Sequence, residues 1–251
     1  VSDALVRRYR AARRDPELAV LEGFHALKHA LRFGAEVLEG VATDPAELER
    51  LSEELAPDLT GSLSVRVAPV EPEVLAALVP QAPRTGVVTI ARRPRVDVAG
   101  VVADRRPAPL VLLEDPRTMG NMGACVRVAA AADAAGVLTT GGNDPWHPDA
   151  LRGGAGLHFA LPVAAIDALP DGDRPLVAID PEGEDLRPAE LPARAILAFG
   201  TERYGLSGEL LARADLKLGI PMRAGVSSLN LATSVAAVLF AQRLGTAPDA
   251  A

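Results

Sequence analysis

A chain of 251 residues, 49% of them apolar, is long enough to bury one large core or two modest ones without covalent staples. Its single cysteine, Cys125, excludes an internal disulfide framework and any multi-thiolate zinc or iron–sulfur site, and points to a reducing, cytoplasmic setting. A net charge of −7 excludes a uniformly basic nucleic-acid binder, and no apolar run reaches the roughly 18 residues of a membrane span.

The opening stretch VSDALVRRYRAARRDPE lacks the apolar core of a secretory signal. It holds Arg7, Arg8, Arg10, Arg13 and Arg14, five positive charges within eight residues, read either as a solvated helix face or as an edge that meets phosphate. LAVLEG (18–23) predicts a strand, and Phe24, Leu27 and Leu31 predict a helix that Gly34 stops. VLEGVAT (37–43) predicts the next strand. Asp44 and Pro45 then form an N-cap and N1 pair for a helix with Leu48, Leu51 and Leu55 on one side. VRVAPV (65–70) and VVTIAR (87–92) predict two more strands around a helix over EPEVLAAL (71–78). Residues 1–95 are thus expected to form a small α/β domain. Up to Arg95 there are 13 basic and 14 acidic residues, a balance of −1, against 13 and 19 from Val96 onward, a balance of −6.

Proline- and arginine-rich ARRPRVDVAGVVADRRPAP (91–109) predicts a linker to a second domain over 107–251. There, LVLLED (110–115), GVLTT (136–140), LHFALPV (157–163), PLVAID (175–180), AILAFG (195–200) and LKLGIP (216–221) predict six buried strands, most of them separated by helical stretches. Near-continuous apolar strands alternating with helices predict a parallel sheet covered on both faces. In such a sheet, ligands gather beyond the carboxyl ends of the strands, and three strand-end segments stand out there. PRTMGNMGACVR (116–127) places Gly120, Asn121 and Gly123 ahead of a helix bearing Arg127. GTERYGLSGEL (200–210) is a glycine turn with Glu202, and Ser207 is placed to cap the next helix. IPMRAGVSSLN (220–230) crowds Ser227, Ser228 and Asn230 against an apolar helix, with either serine placed to cap it.

Familiar nucleotide sites are excluded by inspection. There is no phosphate-binding G-x-x-x-x-G-K-[ST], GGAG (153–156) lacks the third glycine and preceding strand of a dinucleotide fingerprint, and no G-x-S-x-G elbow occurs. His25 and His29, at i and i+4 with Glu22 nearby, lack a convincing third ligand, so no metal site is expected.

Taken together, the strand-end motifs resemble those of the SpoU-type (TrmH-like) RNA ribose 2′-O-methyltransferases of the SPOUT class. NMGACVR (121–127) is similar to the family's first motif, GTERYGL (200–206) to the second, and IPM (220–222) with SLN (228–230) to the third. The resemblance covers about residues 107–245. The preceding region resembles, through LAVLEGFHALKHAL (18–31), an N-terminal RNA-binding domain of ribosomal L30e type. It implies an α/β fold with an L30e-like domain followed by a SPOUT domain, a parallel sheet whose last strands and helix form a deep trefoil knot. It also implies S-adenosylmethionine as cofactor, contacted by Gly200, Ile220, Leu229 and Met222, and catalytic positions at Asn121, Arg127, Glu202, Ser228 and Asn230. RNA, most of all 23S ribosomal RNA, would be the substrate, and a homodimer through the C-terminal domain the working assembly. The alternatives are transfer RNA as substrate, a non-catalytic RNA-binding or ribosome-assembly role on the same fold, or methylation of a base, against which the Ser-Leu-Asn and Gly-Thr-Glu motifs favour ribose. Gly154 departs from the pattern where many relatives carry serine, as does Tyr204 at a position often smaller or charged.

Overall fold

A computed structural model describes residues 2–59, 61–62, 67–186, 191–201 and 204–245. The chain divides into two units, Val1–Arg95 with Trp146–Ala160, and Val96–Pro145 with Leu161–Ala251. In the first, α1 (Ser2–Ala12), β1 (Leu18–Glu22), α2 (Phe24–Arg32), β2 (Val37–Ala42), α3 (Pro45–Leu55), β3 (Val67–Pro69), α4 (Pro72–Leu78) and β4 (Val87–Arg92) follow in order. The sheet order is β1-β4-β2-β3, with β4 antiparallel to β1 and β2, and β3 parallel to β2. Asp44 caps α3, accepting from the amides of Ala46 and Glu47 at 3.0 Å each, with Pro45 at N1. Tyr9 of α1, Leu75 and Leu78 of α4, and Val20, Val41, Val88 and Ile90 of the sheet form the core. Each fully buried leucine among them contributes about 1.5–3 kcal/mol.

The segment Trp146–Ala160 joins this unit through polar as well as apolar contacts. It contains α7 (Pro148–Gly153), whose Arg152 donates to the buried Glu22 carboxylate at 3.0 Å; Glu22 also pairs with Arg13. His29 donates from Nδ1 to the Ala155 carbonyl at 2.7 Å. Gly156, at φ +75°, lies where a β-carbon would stand 2.5 Å from the Ala26 carbonyl oxygen, so only glycine fits. The strand expected over 157–163 is therefore absent as such: Leu157–Phe159 is a single 3₁₀ turn, with the Trp146 ring edge-on to Phe159 and tilted against His158.

The second unit holds α5 (Val98–Ala103), β5 (Leu110–Leu113), α6 (Met119–Ala131), β6 (Gly136–Thr139), β7 (Val163–Ala165), β8 (Leu176–Asp185), β9 (Ile196–Phe199), α8 (Gly208–Arg213), β10 (Leu216–Gly219) and α9 (Leu231–Gly245). Among the described residues its six strands run in the order β10-β8-β9-β5-β6-β7, and every pairing is parallel. All residues of β5, β6 and β9 are buried, as a sheet covered on both faces requires. The expected linker differs from a plain connection: its middle forms α5, capped by Asp97, with Val102 in the core of this unit. Arg174 is buried beneath it and donates to the carbonyls of Val102, Ala108 and Asp104 at 2.8–2.9 Å. Those carbonyls supply the solvation that the guanidinium loses on burial.

Parallel pairing brings all carboxyl ends to one edge. At that edge β8 departs from regular pairing with β10: Lys217 faces Ala178, yet the next residue, Leu218, faces Glu184. The intervening Ile179–Gly183 bulges out over the strand ends. A β-carbon on Gly183 would lie 2.6 Å from the Leu218 backbone, and one on Gly219 3.2 Å from the Asp180 carbonyl, so both glycines let the bulge sit close.

Candidate functional site

Beyond the ends of β8, β9 and β10 lies a cavity of about 310 Å³. Ile179, Asp180 and Pro181 come from the β8 bulge, Phe199, Gly200, Thr201 and Gly205 from the turn after β9, and Ile220 and Met222 from the segment after β10. Ser227, Ser228 and Leu229 close it ahead of α9, whose Leu231 and Ser234 complete the wall. Three chain segments well separated in sequence thus meet at one place, because each follows a parallel strand.

The turn after β9 is fixed by backbone packing. Thr201 and Gly205 exchange amide–carbonyl hydrogen bonds of 3.1 and 3.0 Å, and Gly205 sits at φ +66°. A β-carbon on Gly200 would lie 2.0–2.2 Å from the Gly205 carbonyl group and the Leu206 nitrogen, so Gly200 admits no side chain. Beyond the turn, Ser207 caps α8 by accepting from the Leu210 amide at 3.2 Å. Glu114, at the end of β5, grips Ser207 at two points, accepting from its amide and its hydroxyl at 2.6 Å each. This charge-assisted pair ties the β9 turn to the neighbouring strand.

Ahead of α9 the cap differs from expectation. Neither Ser227 nor Ser228 performs it: Asn230 does, its Oδ1 accepting from Ala232 at 2.9 Å and Thr233 at 3.4 Å. The two serines are thereby left to line the cavity.

The sequence-predicted residues divide into groups. Gly200, Ile220, Met222, Ser228 and Leu229 all line the cavity. Asn230 adjoins it as the α9 cap. Glu202 falls outside the described residues. Asn121 and Arg127 are not among the lining residues. Gly120, Asn121 and Gly123 do not precede the helix but lie within its first turns, since α6 begins at Met119. Six residues apart, Asn121 and Arg127 leave α6 about 120° from each other; Asn121 is half-buried and Arg127 exposed. Arg127 forms no ion pair or hydrogen bond among the described residues, so its five donors are available to an incoming anion. Sequence reading did not single out Asp180, Glu114 or Ser234. The first two carried a usable signal: Asp180 ends the predicted strand PLVAID (175–180), and Glu114 directly follows the apolar run LVLL of β5; Ser234 lies one turn beyond Asn230, and only the helix start reveals its direction.

The model of the SpoU rRNA methylase family matches residues 108–240. The chain belongs to the SpoU rRNA methylase family. Within this family's reach, it is 28% identical over 253 residues to the 23S rRNA (adenosine(1067)-2′-O)-methyltransferase of Streptomyces azureus, covering 95% of this chain and 92% of that protein. It is 32% identical over 177 residues to the tRNA (guanosine(18)-2′-O)-methyltransferase of Thermus thermophilus, over 62% of this chain and 84% of that one. In fold it is similar to the SpoU methyltransferase AviRb of Streptomyces viridochromogenes, solved in complex with the cofactor AdoMet, at a TM-score of 0.81 and 23% identity over 96% of this chain and 97% of that chain.

Proposed function

We propose that the protein methylates a ribose 2′-hydroxyl in structured RNA, with 23S ribosomal RNA as substrate and S-adenosylmethionine as methyl donor, working as a cytoplasmic homodimer through a C-terminal domain folded as a deep trefoil knot. The observation that carries this reading is the meeting of the second and third family motifs on one cavity, through Gly200, Ile220, Met222, Ser228 and Leu229. The cavity suits the cofactor: apolar walls from Ile179, Phe199, Ile220 and Leu231 suit an adenine, and the hydroxyls of Thr201, Ser227, Ser228 and Ser234 suit its polar substituents. Bound there, the cofactor supplies an electrophilic methyl group.

The chain's own task is then positioning and electrostatics. Gly200 lets the backbone of the β9 turn pack against Gly205 and Leu206 and so shape this wall of the cavity, and Glu114 holds that turn through Ser207. Arg127 grips a phosphate beside the target ribose and stabilises negative charge on the 2′-oxygen as its proton leaves. A guanidinium stays protonated at neutral pH, so the proton goes to phosphate or water rather than to Arg127. Because Arg127 does not line the cavity of its own chain, the dimer is the arrangement in which Asn121 and Arg127 complete the site. Glu202, Ser228 and Asn230 orient the surrounding backbone, with Asn230 setting the start of α9.

The first unit, residues 1–95 in this reading, supplies substrate contacts. Arg8 and Arg13 are occupied by Glu39 and Glu22, while Arg7, Arg10 and Arg14 are exposed and form no ion pair among the described residues. These three offer phosphate contacts for RNA. Mapping ribose methylation across ribosomal and transfer RNA in cells with and without the gene tests the proposal. One 23S ribose mark lost with the gene supports it; a lost mark in transfer RNA supports the substrate of the Thermus relative instead.

A further inference from the structure

Among the described residues that line the cavity, Asp180 is the one that ionises. Its neighbours there are apolar side chains, glycines and neutral hydroxyls. The carboxylate is held in place from its own side: Oδ1 accepts from the Glu182 amide at 2.9 Å, and the Asp180 carbonyl is packed against Gly219. Oδ2 faces the β9 turn, 4.0 Å from where a β-carbon on Gly205 would stand. Asp180 forms no ion pair among the described residues, although it is only half-buried and arginines are plentiful in the chain. A fixed carboxylate without an ion pair among the described residues, in a cavity whose other described lining residues are uncharged, favours a ligand that brings positive charge.

We infer that Asp180 makes this site selective for a cationic nucleoside, its carboxylate pairing with the α-ammonium group of S-adenosylmethionine. This rests on the reading of the cavity as the cofactor site. Four hydroxyls, on Thr201, Ser227, Ser228 and Ser234, are available to the neutral sugar hydroxyls, which leaves the charge to Asp180. The pair also gives the ligand a direction: the adenosine lies toward Gly200, Ile220 and Leu229, and the charged end toward the β8 bulge. Asp180 is a binding and specificity residue here and takes no part in proton transfer.

The test compares S-adenosylmethionine with 5′-methylthioadenosine, which keeps the adenine and both sugar hydroxyls but carries no charge. Calorimetric titration of the intact protein and of Asp180→Asn reads both affinities. The expected result is a loss of about tenfold for S-adenosylmethionine with 5′-methylthioadenosine unchanged, the unchanged ligand also reporting an intact fold. Asp180→Glu, which keeps the charge, restores most of the preference. Equal losses for both ligands, as a contact to the sugar hydroxyls gives, overturn the inference, and so does no loss for either. If Asp180→Asn does not fold, the unaltered protein decides by itself: its preference for the charged ligand falls as salt rises, and a flat preference overturns the pairing. Failure of the unaltered protein to bind either ligand removes the cofactor site itself, an outcome distinct from binding both without regard to Asp180.

Discussion

Gly200 offers the sharpest test of how the cavity is built. In Gly200→Ala the new methyl would stand 2.0 Å from the Gly205 carbonyl carbon, 2.2 Å from its oxygen and 2.2 Å from the Leu206 nitrogen. Carbon atoms rest about 3.5–4.0 Å apart, so backbone must move by more than an ångström. All three of these atoms are backbone, which cannot yield as the end of a flexible side chain can. The Thr201–Gly205 turn has to open, and its two hydrogen bonds contribute roughly 0.5–1.5 kcal/mol each. Overpacking adds about 1–3 kcal/mol, for a total of about 2–6 kcal/mol. Part of this appears as a lower melting temperature and part as lost affinity for S-adenosylmethionine, because the displaced turn is a wall of the cavity. Thermal unfolding and calorimetric titration read the two parts. Gly120→Ala is the control: Gly120 lies inside α6 with nothing within 4 Å of its added β-carbon, so the substitution stabilises by about 0.5–1 kcal/mol. A Gly200→Ala protein that melts and binds like the unaltered one refutes the close-approach argument.

Other substitutions separate the remaining parts. Asn230→Ala removes the α9 cap and lowers stability by about 1 kcal/mol, seen as earlier exchange of the first α9 amides. Glu22→Gln removes the carboxylate that Arg13 and Arg152 share, leaving Arg152 with Asp149, and lowers stability by roughly 2 kcal/mol, less than for a fully enclosed pair because Arg152 is half exposed; denaturant titration reads it. Burial holds His29 below the ordinary imidazole range, outweighing the hydrogen bond to Ala155 that raises it. Its folded-state value being depressed, its contribution is full above the unfolded value of about 6.5 and is lost as pH falls through the folded one. His29→Gln therefore flattens the decline in melting temperature on acidification below neutrality. Replacing Arg7, Arg10 and Arg14 together by alanine weakens RNA binding and reduces the slope of log affinity against log salt by roughly 2, measured by filter binding.

Much of this architecture is legible in the residues because its signals are local. Asp44 before Pro45 marks the start of α3, and unbroken apolar runs such as LVLL and ILAF mark strands buried on both faces. Where reading and structure part, distant contacts decide. LHFALPV has a strand's composition, but Gly156 pressed on Ala26 and the hydrogen bond from His29 to Ala155 hold its first residues in a turn of the first unit. Val98–Ala103 looks like linker because prolines flank it; Arg174, far along the chain, donates to the Val102 carbonyl within it and to the Asp104 carbonyl just after it. At the cavity, glycine and hydroxyl motifs announced the β9 and β10 segments, whereas the β8 contribution depends on a register shift against β10 that no single stretch encodes. Capping shows the same limit: Ser227, Ser228 and Asn230 are all competent, and only the start of α9 selects Asn230.

In the proposed function, the cavity beyond β8, β9 and β10 presents a methyl donor to a ribose hydroxyl. Incubating the protein with methyl-labelled S-adenosylmethionine and 23S ribosomal RNA, then digesting to nucleosides, tests it directly. The account predicts label on a single 2′-O-methylated nucleoside, abolished by Arg127→Ala while that variant still binds the cofactor. Label on a base, or equal transfer by Arg127→Ala, would contradict it.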